Sequence, residues 1–250
     1  MTSASRRPAL VFIHGFRGNH IGLEAIAREF PDYKVYIPDI PPFGAAGDLQ
    51  QYTPANYAKF IADYISHHHL QKPILIGHSM GSLVAAATAT KYPQKLHDKL
   101  ILLAPISVKP PRPIAALQPL VAILPNKFIG WITTRYLYIP KKSTDRELYR
   151  ETLRLTYASG AEYTSRHAVR QSAKFSATHS LRDFNFHKKT LLLAGTKDRL
   201  IARRHTVQLA TKLSSRKYPV TAQFIKGAGH LLNYEKPAET AAAIRQFIEK

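Results

Sequence analysis

The pentapeptide Gly77-His78-Ser79-Met80-Gly81 constrains this chain more than any other stretch. An apolar run, Pro73-Ile74-Leu75-Ile76, leads into it, and a small-residue run of helical character, Ser82-Leu83-Val84-Ala85-Ala86-Ala87, leads out. The pattern is G-x-S-x-G at a strand-to-helix junction. So tight a turn leaves no room for side chains at its two glycines. It holds the serine on a strained backbone with the hydroxyl exposed above the strand end. The helix that follows aims its unpaired N–H groups at any negative charge that develops beside the serine. A short motif gains meaning only from its context. The rest of the chain must therefore supply a parallel sheet, a base and a group to orient that base.

The sheet is legible in the order of segments. Pro8-Ala9-Leu10-Val11-Phe12-Ile13 is a continuous apolar run, as expected of a strand covered on both faces. It ends in His14-Gly15-Phe16-Arg17-Gly18-Asn19. Ile21, Leu23, Ile26 and Phe30 predict a helix that Pro31 closes, and Lys34 to Ile37 reads as a second strand. Thr53-Pro54 has the form of a capped helix start, and Tyr57, Phe60, Ile61, Tyr64 and Ile65 then recur at helical spacing. His67-His68-His69 ends that helix; three consecutive histidines point in different directions and read as a solvated helix end rather than a metal site. Leu100 to Leu103, Thr190 to Ala194 and Val220 to Ile225 read as further strands. Helices are expected over about 202–213 and 237–248. Strands alternating with helices predict an α/β fold: a mostly parallel sheet with helices on both faces.

Composition narrows the chemistry. There are no cysteines among 250 residues, so disulfides, thiolate catalysis and cysteine-bound zinc are excluded. No secretory leader is visible at the N-terminus, and Ile114 to Ile132 is too interrupted by proline and polar residues to span a membrane. A cytoplasmic protein is the expectation. Formal net charge is +20. No zinc-finger spacing or aromatic RNA-binding signature accompanies it, so no specific nucleic-acid partner is expected.

In a parallel sheet the chemistry gathers beyond the strand C-termini. His14, Ser79, Asp198 and His230 all fall there. Serine is a weak nucleophile that needs a base, and the base needs an orienting group. His230, in the glycine-rich loop after the last strand, is the candidate base. Asp198, in Gly195-Thr196-Lys197-Asp198, is the candidate orienter. Asp183 is the alternative, but it precedes its strand and would lie at the wrong end. Asp39 reads as a loop cap.

These residues carry a resemblance that covers nearly the whole chain. His14-Gly15-Phe16, the Ser79 pentapeptide, Gly195 to Asp198, and Gly229-His230 running on to Pro237 resemble the α/β-hydrolase fold family, in particular capped serine esterases and monoacylglycerol lipases. The resemblance implies a Ser79–Asp198–His230 triad with an oxyanion hole made by the backbone N–H groups of Phe16 and Met80. It implies no cofactor and no metal. Relatives that cleave epoxides or carbon–halogen bonds carry aspartate at the elbow, so Ser79 points instead to a small-molecule ester substrate cleaved through an acyl-enzyme. Thioester, amide or carbon–carbon bond cleavage, or a non-catalytic binding role, are the alternatives on the same scaffold. The chain begins almost at its first parallel strand, so the family's antiparallel first strands are expected to be missing or reduced. His14, Gly15, His78, Trp131 and Leu231 are pocket candidates, with His14 bracing the oxyanion loop.

Between Ile106 and His187 no strand alternation is visible. The resemblance places a helical cap there, which divides the chain into core residues 1–105, a cap or lid at 106–187, and core residues 188–250. Thr144 to about Tyr157 and Glu162 to Lys174 are its expected helices. Residues 101–190 hold 15 Lys+Arg against 5 Asp+Glu. A lid with so basic a rim fits an anionic ligand or an anionic lipid surface.

Overall fold

A computed structural model describes residues 7–109 and 165–250. The predicted strands form where expected: β1 (Leu10–Ile13), β2 (Val35–Tyr36), β3 (Ile74–His78), β4 (Lys99–Leu103), β5 (Lys189–Gly195) and β6 (Val220–Ile225). All pair in parallel, in the order β2-β1-β3-β4-β5-β6. Among the described residues the sheet has no antiparallel strand. The helices are α1 (Ile21–Ala27), α2 (Pro54–His67), α3 (Met80–Lys91), α4 (Arg166–Thr178), α5 (Arg203–Ser215), α6 (Leu232–Glu235) and α7 (Pro237–Glu249). The Thr53 hydroxyl accepts the Asn56 N–H at the start of α2, the cap that the Thr-Pro pair predicts. Helix α4 starts later than Glu162 because Ser165 supplies its cap, accepting from the Ala168 N–H. The Thr144–Tyr157 helix lies outside the described residues.

Side chains alternate across each strand, so the sheet feeds two cores. Val11, Ile13, Leu75, Leu100, Leu102 and Leu192 pack with α2, α3, α4 and α5. Leu10, Phe12, Ile74, Ile76, Ile101 and Leu193 pack on the other side with α1, α6 and α7. Each fully buried side chain of this size contributes about 1.5–3 kcal/mol. Helix α3 is buried along nearly its whole length, which explains its run of alanine: larger side chains would push it off the sheet. Leu181 donates its N–H to the Ile106 carbonyl at 2.9 Å, which ties the segment after α4 to the segment after β4.

The topology selects the position of chemistry. The chain runs from β1 outward to β2, then crosses back to β3 on the other side of β1. Where strand order reverses, the loops after β1 and β3 diverge and leave a crevice beyond their C-terminal ends. His14-Gly15-Phe16 and Ser79 emerge on its two sides.

The elbow in this crevice depends on two glycines. A Cβ on Gly77 would lie 2.3 Å from the Gly81 carbonyl oxygen, and one on Gly81 would lie 2.2 Å from the Ile13 carbonyl oxygen. Both obstacles are backbone and cannot rotate away. Gly81→Ala should therefore lower stability by about 1–3 kcal/mol or more, read as a reduced urea midpoint. An unchanged midpoint would show that α3 does not approach β1 this closely.

Candidate active site

Ser79 sits between β3 and α3 with φ 52° and ψ −117°. A left-handed φ at a residue with a Cβ costs about 1–3 kcal/mol and persists only where the surroundings enforce it. Here the Ser79 N–H donates to the Leu103 carbonyl of β4 at 2.9 Å, and the Ser79 carbonyl accepts from both the N–H and the hydroxyl of Ser82. With both ends of the residue tied down, the side chain projects into the crevice. There His230 Nε2 lies 3.0 Å from Ser79 Oγ, and His230 Nδ1 lies 2.9 Å from Asp198 Oδ2. The other oxygen of Asp198 accepts the N–H groups of Leu200 and Ile201, each at 2.8 Å. Burial by itself would raise the Asp198 pKa. The adjacent imidazole and the two amides outweigh burial and hold the carboxyl below its ordinary range. Asp198 is therefore a carboxylate near neutral pH, and its partner Nδ1 carries the proton. That leaves Nε2 free to accept the serine proton.

The loop bearing His230 is held from three directions. Glu235 accepts the Gly229 N–H at 2.7 Å and the Leu231 N–H at 3.1 Å, clasping the peptides on either side of the histidine. Burial raises the Glu235 pKa, and the two amides limit the rise. From the elbow, His78 Nε2 donates to the His230 carbonyl at 3.0 Å. Gly195 packs so closely on this loop that a Cβ would lie 2.2 Å from the Ala228 carbonyl oxygen.

The opposite wall is set by His14. Its Nε2 accepts the Ile40 N–H at 2.9 Å, so that nitrogen carries no proton, and its Nδ1 donates to the Gly15 carbonyl at 2.8 Å. The Gly18 N–H donates to the same carbonyl. In a trans peptide the C=O and the following N–H point in opposite directions. Pinning the Gly15 carbonyl thus turns the Phe16 N–H the other way. Gly15 abuts the elbow: a Cβ there would lie 3.1 Å from the Ser79 Cβ. The Met80 N–H heads α3. No backbone hydrogen bond among the described residues uses either amide. Asp39 ties this wall to α1, accepting from the His20 and Ala45 N–H groups, which confirms it as a loop cap.

Comparison with known proteins agrees with this geometry. The sequence profile described as "Alpha/beta hydrolase family" matches residues 10–243. The chain belongs to the alpha/beta hydrolase family. A Mycoplasma genitalium protein named "Putative esterase/lipase 3" is 34% identical over 104 residues, 41% of this chain and 38% of that protein. A 2-succinyl-6-hydroxy-2,4-cyclohexadiene-1-carboxylate synthase from Citrobacter koseri is 30% identical over 82 residues, 33% of this chain and 32% of that protein. The matched stretch spans less than half the length of these relatives. Among solved structures, an esterase from Exiguobacterium antarcticum superposes with a TM-score of 0.83 at 15% identity, covering 97% of this chain and 92% of that one. At that identity the likeness is one of fold.

In this alpha/beta hydrolase the structure brings Ser79, Asp198, His230, His14, Gly15, Phe16, His78, Met80 and Leu231 to one end of the sheet. Trp131 lies outside the described residues. Asp183 precedes β5 and pairs instead with Lys109 at 3.0 Å and with the Ser180 N–H. His67, His68 and His69 are exposed at the end of α2. Three supporting residues carry no sequence signal of their role. Glu235 is one. Tyr57 and Ser172 are the others: the buried Tyr57 hydroxyl lies 2.9 Å from the Pro41 carbonyl and 3.0 Å from Ser172 Oγ, which reaches Met80 Sδ at 3.4 Å. They link α2 and α4 to the residue after Ser79.

The two bracing histidines make stability sensitive to acid. Burial pulls the His14 pKa down to about 4 and the His78 pKa to about 3, the latter helped by nearby His230. An unfolded histidine takes up a proton near pH 6.5. Below that pH the unfolded chain binds protons that the folded one refuses, so stability is constant above it and falls as pH drops toward 4. The loss is up to about 1.4 kcal/mol per pH unit for each histidine. The depressed pKa values of Asp39 and Asp198 act only below the ordinary carboxylate range. Urea unfolding from pH 7 to 4.5 should show this slope, to which the lowered pKa of His97 adds and which the raised pKa of Glu235 opposes, and His78→Gln should make it shallower. An identical slope in the variant would show that His78 is not neutral in the folded protein.

Proposed function

We propose that this protein is a serine hydrolase that cleaves carboxylic esters through an acyl-enzyme. The observation that carries the reading is the relay from Ser79 Oγ to His230 Nε2 at 3.0 Å and from His230 Nδ1 to Asp198 at 2.9 Å, built on a strained elbow. His230 Nε2 takes the hydroxyl proton as Ser79 Oγ bonds to the ester carbonyl carbon. Negative charge passes to the carbonyl oxygen, and the N–H groups of Phe16 and Met80 are its donors, each worth about 3 kcal/mol. His230 then gives its proton to the departing alkoxide as the C–O bond breaks. Water repeats the sequence on the acyl-serine and frees the acid. Asp198 stays ionised throughout and stabilises the imidazolium. This scheme balances with water as the only second reactant.

The esterase/lipase name of the Mycoplasma relative favours an ester over a thioester, amide or carbon–carbon bond. The cap at 106–187 is also part of the proposal. The meeting of Ile106 and Leu181 supports a single insertion, and Ser172 against Met80 supports its contact with the site. No helix among the described residues is long and apolar enough to cross a membrane.

Members of one catalytic unit show non-additive losses. On a p-nitrophenyl ester, Ser79→Ala and His230→Ala should each lower kcat by about 10³-fold or more, and the double variant should be no worse than about threefold below either single one. Multiplicative losses, or near-normal turnover by Ser79→Ala, would remove the triad assignment.

A further inference from the structure

Charge and exposed apolar surface coincide at one edge of the sheet. The terminal strand β6, helix α5 and the loop joining β5 to α5 span residues 197–226, which hold 8 Lys+Arg and a single acid, Asp198. That acid is buried and bound to His230 and two amides, so it offers no charge to the surface. Five of the cations, Lys197, Arg199, Arg203, Arg204 and Lys226, are exposed at the C-terminal end of β5 and β6, the end that carries the triad. Among the described residues, the large hydrophobic side chains left exposed are Leu200, at 53%, and Val207, at 44%. Both fall within this edge. Leu200 follows Arg199, and Val207 lies one helical turn beyond Arg203 and Arg204.

We propose that this edge is a docking surface for an anionic lipid membrane. Cations near such a surface each add about 1 kcal/mol, equivalent to about fivefold in affinity. Apolar side chains among them gain by entering the headgroup boundary. A nucleic-acid partner would use the same cations but gives Leu200 and Val207 nothing to enter. Single-strand binders also present open aromatic faces for stacking, whereas Phe224 beside this cluster is covered by the Arg203 guanidinium at 4.7 Å. Because Leu200 is two residues from Asp198 and its N–H bonds that carboxylate, docking here sets the triad beside the lipid surface.

The test is cosedimentation of the full chain with vesicles of phosphatidylcholine alone, or of phosphatidylcholine mixed with phosphatidylglycerol, at about 0.05 and 0.5 M salt, a range over which screening shortens markedly. Binding is expected only to the mixed vesicles, and more weakly at high salt. The paired change Arg204→Glu/Lys226→Glu should lower it by about tenfold or more. Leu200→Ser should lower it severalfold, with far-UV circular dichroism unchanged in each variant. Equal binding to both vesicles, or unaltered binding by the charge-reversed variant, overturns the proposal. So does tight binding to single-stranded RNA that Leu200→Ser leaves intact, with no preference for the mixed vesicles; that result would assign the edge to nucleic acid.

Discussion

The contact between Gly81 and the end of β1 is the constraint on which the rest depends. With no side chain at that position, α3 starts directly against the Ile13 and His14 carbonyls. This approach forces the chain to turn within one residue, and Ser79 takes the left-handed backbone that results. It also places the His14-Gly15-Phe16 loop after β1 against Ser79 after β3. The strand order makes the approach available, because β1 and β3 are neighbours although a whole strand and two helices separate them in sequence. Strain at Ser79 is held by hydrogen bonds from β4 and Ser82, so local cost is offset by the surrounding sheet.

Around this contact the structure uses polar side chains as struts. His14 fixes one peptide by donating to it and another by accepting from it. His78 fixes the carbonyl of His230, and Glu235 fixes the amides on either side. His14 and His78 are buried and Glu235 is half-buried, and each would be costly without its partners. Together they leave the His230 ring few positions other than the one between Asp198 and Ser79. Preorganisation of this kind matters to the proposed reaction because charge then develops against donors and acceptors already in place. The acid sensitivity expected of the fold comes from the two histidine struts, whose imidazoles burial keeps from protonating.

The parts visible in sequence are those that local chemistry dictates. Gly77, Ser79 and Gly81 announce a tight turn. Continuous apolar runs announce strands covered on both faces, and Thr53-Pro54 announces a capped helix. Asp198 and His230 are legible because each follows a strand and the sheet is parallel. What the local sequence does not mark depends on register between distant segments. The His78 ring meets the His230 carbonyl across 152 positions, and Ser172 reaches Met80 across 92. Nothing in either neighbourhood marks the pairing. Glu235 was hidden differently: its spacing from His230 looks like an ordinary helix start, and only the fold of the loop directs its carboxylate back to the amides. Residues 165–178 lie in the span proposed as a cap, and there α4 buries Val169, Ala173 and Phe175 in the same core as α2 and α3.

The central claim is that the elbow serine is a nucleophile activated by its neighbours, and covalent capture tests it most directly. A fluorophosphonate incubated with the intact protein should add one phosphonyl group per chain, mapped by peptide mass spectrometry to the peptide containing Ser79. Failure to label, or labelling spread over other hydroxyls with Ser79 spared, would contradict the account and leave the same geometry as a scaffold for binding alone.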